Sequence, residues 1–244
     1  MNTLGHKKVG YFIINSFQIF LNDKEKQALL KGCIMPDKWK KKRLKYPHHR
    51  KKRIRDIMEW IIEARKDFLK GNLKESAYKL GIALHFVGDY GIASPRGNYR
   101  KLKEHQVYER KMQKIEDRII PLFTLNTPLE IPAIIENFLT GPLRAAERMR
   151  RIYQVSFAIS EIVWRNPNLL SPREKDLLNN LPEFKKKFFL ISGIEVGLFI
   201  LGISFMVLKE AILFSFLCFL CILILNVFSQ RIPNPFFIKK WYGK

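Results

Sequence analysis

Cysteine is scarce, with three in 244 residues. Cys218 and Cys221 fall inside an apolar run and Cys33 stands alone. That excludes a disulfide framework and a soluble Cys-x-x-Cys metal site, and it fits a reducing compartment. Acidic residues are also few: 22 Asp and Glu against 44 Lys and Arg, a net charge of +22. Residues 188–244 hold only +3 of this, so residues 1–187 carry +19. Such an excess points to an anionic partner or surface; the plainer reading is a solvated, lysine-rich face. Strand-like alternation is missing over any useful length, which excludes a sheet-based fold. The chain reads as all-α, with about seven helices in its soluble part. Histidine is limited to five positions, His6, His48, His49, His85 and His105, so where they fall carries weight.

The apolar residues are unevenly placed. Residues 9–21, VGYFIINSFQIFL, superficially resemble a signal peptide. They lack a small-residue cleavage site, and Asn15, Ser16 and Gln18 interrupt them, so a first core helix starting near His6 is expected. Asp23 is expected to cap a short second helix through Leu30, ended by Gly32. Residues 38–55, KWKKKRLKYPHHRKKRIR, form a basic loop in which eleven of 18 residues are Lys or Arg, with Trp39, Tyr46 and Pro47 interspersed. An amphipathic helix, Ile54 to Leu69, follows and is closed by Gly71. Helices are further expected over Tyr99–Ile120, from a Thr127/Glu130 capping box to Thr140, over Leu143–Arg165, and from a Ser171/Glu174 box onward.

Two long apolar runs close the chain. Residues 188–208 contain one charge, Glu195, and residues 211–228 contain none. Each can cross a hydrocarbon core of about 30 Å, and only Lys209 and Glu210 separate them, so a transmembrane hairpin is expected. Lys185, Lys186 and Lys187 precede it; Arg231, Lys239, Lys240 and Lys244 follow. The positive-inside rule then places both ends, and the soluble domain, in the cytoplasm. The organisation expected is a helical domain over 1–184, a hairpin over 185–230 and a basic, aromatic interfacial tail over 231–244. Glu195, an ionisable group at membrane depth, is either functional or a bundle-facing structural residue.

The chemistry concentrates around residues 72–91. Asn72 and Glu75 have capping-box spacing, and Leu73, Ala77, Leu80, Leu84 and Val87 form one apolar stripe. Gly81 and Gly88 each cost helix stability by about 1 kcal/mol, so a close backbone or ligand approach is expected there. His85 and Asp89, four apart, share a helix face and suit one metal ion, although a hydrogen-bonded structural pair has the same spacing. His105 and Glu109 repeat the arrangement. Asp37, the His48–His49 pair and His6 complete a set of nitrogen and oxygen donors.

These residues resemble the zinc-dependent phospholipase C family, whose fold is shared by single-strand-specific zinc nucleases. The likeness runs from about His6 to Glu109 and is densest in LGIALHFVGD. It implies that Asp37, one of His48 and His49, His85 and Asp89 hold a first zinc ion, with Asp37 also the general base and Asp89 bridging to a neighbouring metal. His105 and Glu109 would hold another ion, and His6 a third, for one to three zinc ions in all. Two departures stand out. Pro95 occupies the place of a further ligand histidine, and no processed N-terminus is evident to complete the site of His6.

Taken with the expected hairpin, which supplies the membrane anchor, the resemblance implies a phosphodiester hydrolase acting on phospholipid head groups through a zinc-activated water. Lys38, Trp39, Lys40, Lys41, Lys42, Arg43, Lys45, Arg50, Lys51, Lys52 and Arg53 would hold it on an anionic phospholipid membrane. The same residues suit a nuclease, because charge and aromatic rings also bind a single nucleic-acid strand. The third reading is a tethered binding module with a degenerate metal site. No partner protein is legible in the sequence.

Overall fold

The computed structural model describes residues 3–39, 54–91, 107–108, 110–112, 124–208, 212–229 and 233–242. Every regular element among the described residues is helical. The chain divides into two units, Met1–Leu170 and Ser171–Lys244.

The first unit contains α1 (Thr3–Ser16), α2 (Asp23–Lys38), α3 (Ile54–Leu69), α4 (Leu73–Asp89), α5 (Ile131–Leu139, entered through a 3₁₀ turn at Pro128–Glu130) and α6 (Ala145–Val163). α4 is the central rod, packed by α1, α2, α3 and α6. The sequence shows a single stripe on this helix, but every residue from Leu80 to Asp89 is buried. Four surrounding helices leave it no solvent face, so even the glycines and His85 point into protein. Leu80, Leu84 and Val87 are fully enclosed, each stabilising the unit by about 1.5–3 kcal/mol.

α2 departs most from expectation. It is capped by Asn22, not Asp23: the Asn22 side chain accepts from the amides of Lys24 and Glu25, and Glu25 returns a bond to the Asn22 amide. The helix then runs through Gly32 and Pro36 to Lys38. Gly32 does not end it, because it sits where α2 crosses α4. A β-carbon on Gly32 would collide with the Tyr78 carbonyl oxygen, and one on Gly81 with that of Leu29. Two glycines, one per helix, let the backbones touch. The extra turns carry Cys33 and Asp37 alongside the end of α4.

Other ends differ in detail. Asn72 precedes α4 but makes no side-chain cap bond. Thr127 does not cap a backbone amide either; its hydroxyl bonds the Glu130 side chain at 3.4 Å. α3 has the expected bounds, and Lys79 of α4 reaches its Asp67 at 2.6 Å. The buried Arg65 donates to the carbonyls of Val163 and Arg165, closing the end of α6.

The second unit contains α7 (Pro172–Asn179), α8 (Leu181–Leu208), α9 (Ile212–Ser229) and α10 (Pro235–Tyr242). Ser171 and Glu174 form the expected capping box. The boundary at Leu170/Ser171 lies upstream of residue 184 because α7 packs with this unit: Tyr242 donates its hydroxyl to Glu174 at 3.0 Å. α8 and α9 lie together, with Gly202 against Cys218 and Phe219. Among the described residues one helix is long and apolar enough to cross a membrane, Leu181–Ser204; the apolar stretch Phe216–Asn226 is shorter. Phe236 of α10 meets Phe188 and Phe189 edge-on at 5.8 and 5.9 Å. Glu195 turns one carboxylate oxygen out of solvent, with no hydrogen-bond partner among the described residues.

Candidate metal centre

The glycine crossing decides what His85 can do. It brings the Cys33 carbonyl of α2 to 2.9 Å from His85 Nδ1. A carbonyl can only accept, so Nδ1 carries the hydrogen. The other nitrogen, Nε2, then faces Asp89 Oδ2 at 3.3 Å and Asp37 Oδ1 at 3.7 Å. In the neutral ring Nε2 is a bare lone pair. A lone pair and two carboxylate oxygens repel unless a cation, a proton or a metal ion, lies among them.

His6 comes from α1 and stacks on His85, with ring centroids 3.7 Å apart. Its Nε2 lies 3.3 Å from the other oxygen of Asp89, Oδ1. Both ring nitrogens of His6 are buried, and neither makes a well-formed hydrogen bond among the described residues. Burial, then the neighbouring His85, lowers the His6 pKa to about 4 against the pull of Asp89. The imidazole is therefore neutral near pH 7, the form in which histidine binds metal. Burial works to raise the Asp89 carboxyl, but its surroundings, with an imidazole facing each oxygen, hold it well below the ordinary range.

His6, His85 and Asp89 thus offer three donors, all buried and all within 4.8 Å of one another. Bonds of about 2.0–2.1 Å to a tetrahedral zinc ion put ligand atoms about 3.4 Å apart, close to the two 3.3 Å separations here. The donor set fits zinc in atom type, and one donor atom from each residue lies within 4.8 Å of the others. Metal-bound histidines commonly give their second nitrogen to a carbonyl, as His85 does to Cys33.

Asp37 stands at the mouth of the site. Its side chain is 32% exposed and it accepts from the Thr3 hydroxyl at 3.2 Å. The structure therefore brings four of the singled-out residues together: His6, His85, Asp89 and, at slightly greater distance, Asp37. His6, which the resemblance assigns to a third ion, lies beside His85. His48, His49, His105 and Glu109 lie outside the described residues. So do Lys40, Lys41, Lys42, Arg43, Lys45, Arg50, Lys51, Lys52 and Arg53. Lys38 is the last residue of α2. Trp39 is half-buried, near Trp60 at 5.9 Å and Phe86 at 6.4 Å. The Cys33 carbonyl and the Thr3 hydroxyl are parts of the site that residue spacing does not reveal. The close approach expected at Gly81 was a sequence signal of this crossing, whereas Gly32 had read as a helix end.

Among the described residues this helical unit brings imidazoles and carboxylates together in its core, a group that could hold a metal ion. Comparison with known families narrows this. A family model described as zinc dependent phospholipase C matches residues 5–141, more than half of the chain, and the protein belongs to that family. No curated protein and no solved structure matches it.

Proposed function

We propose that this protein is a membrane-anchored, metal-dependent phosphodiester hydrolase of the phospholipase C type. The observation that carries the reading is the His85 ring, fixed through Nδ1 by the Cys33 carbonyl so that Nε2 meets the carboxylates of Asp89 and Asp37. Family membership supports zinc as the ion. When bound, zinc supplies Lewis acidity toward phosphoryl oxygens and acidifies a water molecule. The chain's part is to hold and orient. His6 presents a neutral imidazole, His85 presents its Nε2, and Asp89 turns one oxygen to each. Asp37, partly exposed and steadied by Thr3, is placed to take a proton from an incoming water. The buried walls of α4 exclude bulk water from the inner side.

The second unit supports anchoring. Leu181–Ser204 is long and apolar enough to span a bilayer, and its apolar side chains are mostly exposed, as lipid contact requires. α9 would complete a hairpin. Lysines at 185–187 and at 239–240, with Phe188, Phe189 and Phe236 beside them, suit an interface with anionic head groups. The positive-inside rule favours a cytoplasmic catalytic unit.

The test is metal content with stoichiometry on the full chain in detergent, followed by hydrolysis of an artificial phosphodiester. Wild type should carry zinc and turn over; Asp37→Asn should keep most of the zinc and lose turnover. Protein that binds no zinc makes this a binding module. Cleavage of single-stranded nucleic acid with short-chain lecithin left intact makes it a nuclease.

A further inference from the structure

We infer that Arg148 is a positioning residue for the metal centre. It lies on α6, outside the stretch that the family model covers. The inference rests on reading His85 and Asp89 as metal ligands.

Arg148 is 4% exposed. Its guanidinium joins three separate stretches of chain. Nη1 donates to the Tyr90 carbonyl at 3.1 Å and to the Leu139 carbonyl at 3.0 Å. Nη2 donates to the Gly141 carbonyl at 3.1 Å, and Nε to the Tyr108 hydroxyl at 3.1 Å. Tyr108 in turn donates to the Leu143 carbonyl at 2.9 Å.

The acceptors explain the effect. Asp89 is the last residue of α4, and Tyr90 follows it. A helix end leaves carbonyls without intrahelical partners, and a cation there is favoured by the helix dipole. Arg148 serves the ends of both α4 and α5 at once. Gly91 shows how tightly the chain is held. It adopts a left-handed conformation, φ 72°, and a β-carbon there would meet the Leu139 carbonyl oxygen and, at 3.2 Å, Arg148 Nη1. Without that clamp the last turn of α4 would fray, and the Asp89 carboxylate would lose its fixed distance from His6 and His85. Tyr108 lies between His105 and Glu109 in sequence. One buried guanidinium therefore ties the end of the His85/Asp89 helix to the segment carrying the second His/carboxylate pair.

The experiment uses the full chain in detergent with Co(II) as a spectroscopic probe and zinc affinity by chelator competition. Arg148→Lys keeps the charge but cannot reach four acceptors in a plane. It should weaken zinc binding by about 10–100-fold, the usual effect of losing an outer support of a metal site, and shift the visible Co(II) bands. Tyr108→Phe removes one bond at constant shape and should shift the same bands by less. Arg65→Lys is the control: an equally buried arginine on helix-end carbonyls, those of α6, whose loss should lower thermal stability and leave the cobalt spectrum alone. The inference is overturned if Arg148→Lys shows wild-type zinc affinity and cobalt bands, or if Arg65→Lys shifts the bands equally. If Arg148→Lys yields no folded protein, Tyr108→Phe decides, and unchanged bands overturn the inference. Wild type that binds neither Zn(II) nor Co(II) overturns the metal reading itself and this inference with it; bound metal with indifferent variants overturns this inference alone.

Discussion

His6 is a base kept uncharged by its surroundings, and that has a consequence for stability. In the unfolded chain it titrates near the ordinary 6.5; buried in the native protein it titrates at about 4. Between those values the unfolded chain binds a proton that the native one does not. Native stability therefore rises with pH through this window and is lost as pH falls from about 6.5 toward about 4. Urea midpoints taken from pH 7 to 4.5 should decline for wild type, and His6→Asn should flatten that decline; parallel curves would refute it. His85→Ala removes a donor outright. Because an outer support alone is worth about 10–100-fold in affinity, zinc binding should fall by more than about 100-fold, read by chelator competition. Cys33 is also affected by burial, which pushes its thiol up to about 12. It should resist maleimide in the native protein and react on unfolding, checked by peptide mass mapping. His6 and His85 were visible in the sequence as donors. That they meet was not, because His6 and His85 are 79 positions apart and come from different helices.

At the scale of elements, the contact of α2 with α4 is the feature on which the site depends. Gly32→Ala or Gly81→Ala would force a methyl group against a backbone carbonyl that cannot swing away. Overpacking of this kind costs about 1–3 kcal/mol, so thermal melting should shift down by several degrees. Zinc affinity should fall as well, since the Cys33 carbonyl would be moved off His85. A variant with wild-type melting temperature would show that the helices part freely and that the crossing is not tight. Helix periodicity made α3, α4 and α6 legible to within a few residues. It misplaced the end of α2 because Gly32 reads as a stop signal, whereas here it serves a contact, and the helix continues through Pro36 in its last turn.

For the whole molecule, charge and hydropathy are segregated along the chain, with +19 in residues 1–187 and +3 in residues 188–244. Anchoring through α8 and α9 predicts that the full chain stays in the pellet after alkaline carbonate washing of membranes. Release into the supernatant would leave only peripheral attachment by the basic surface. The proposed orientation predicts that an alkaline phosphatase fused to the N-terminus is inactive in intact cells; activity would place the catalytic unit outside.

The sequence alone determined the helical class, because the apolar repeat of a helix is local and needs no partner to be seen. It also determined the uneven charge and the presence of histidine–carboxylate pairs four residues apart, for the same reason. Tertiary structure alone decided that His6 stacks on His85, that a main-chain carbonyl sets the direction of that ring, and that Arg148 holds the end of α4. Those depend on where separate helices cross, and crossing points are set by packing over long sequence distances, which no local pattern encodes.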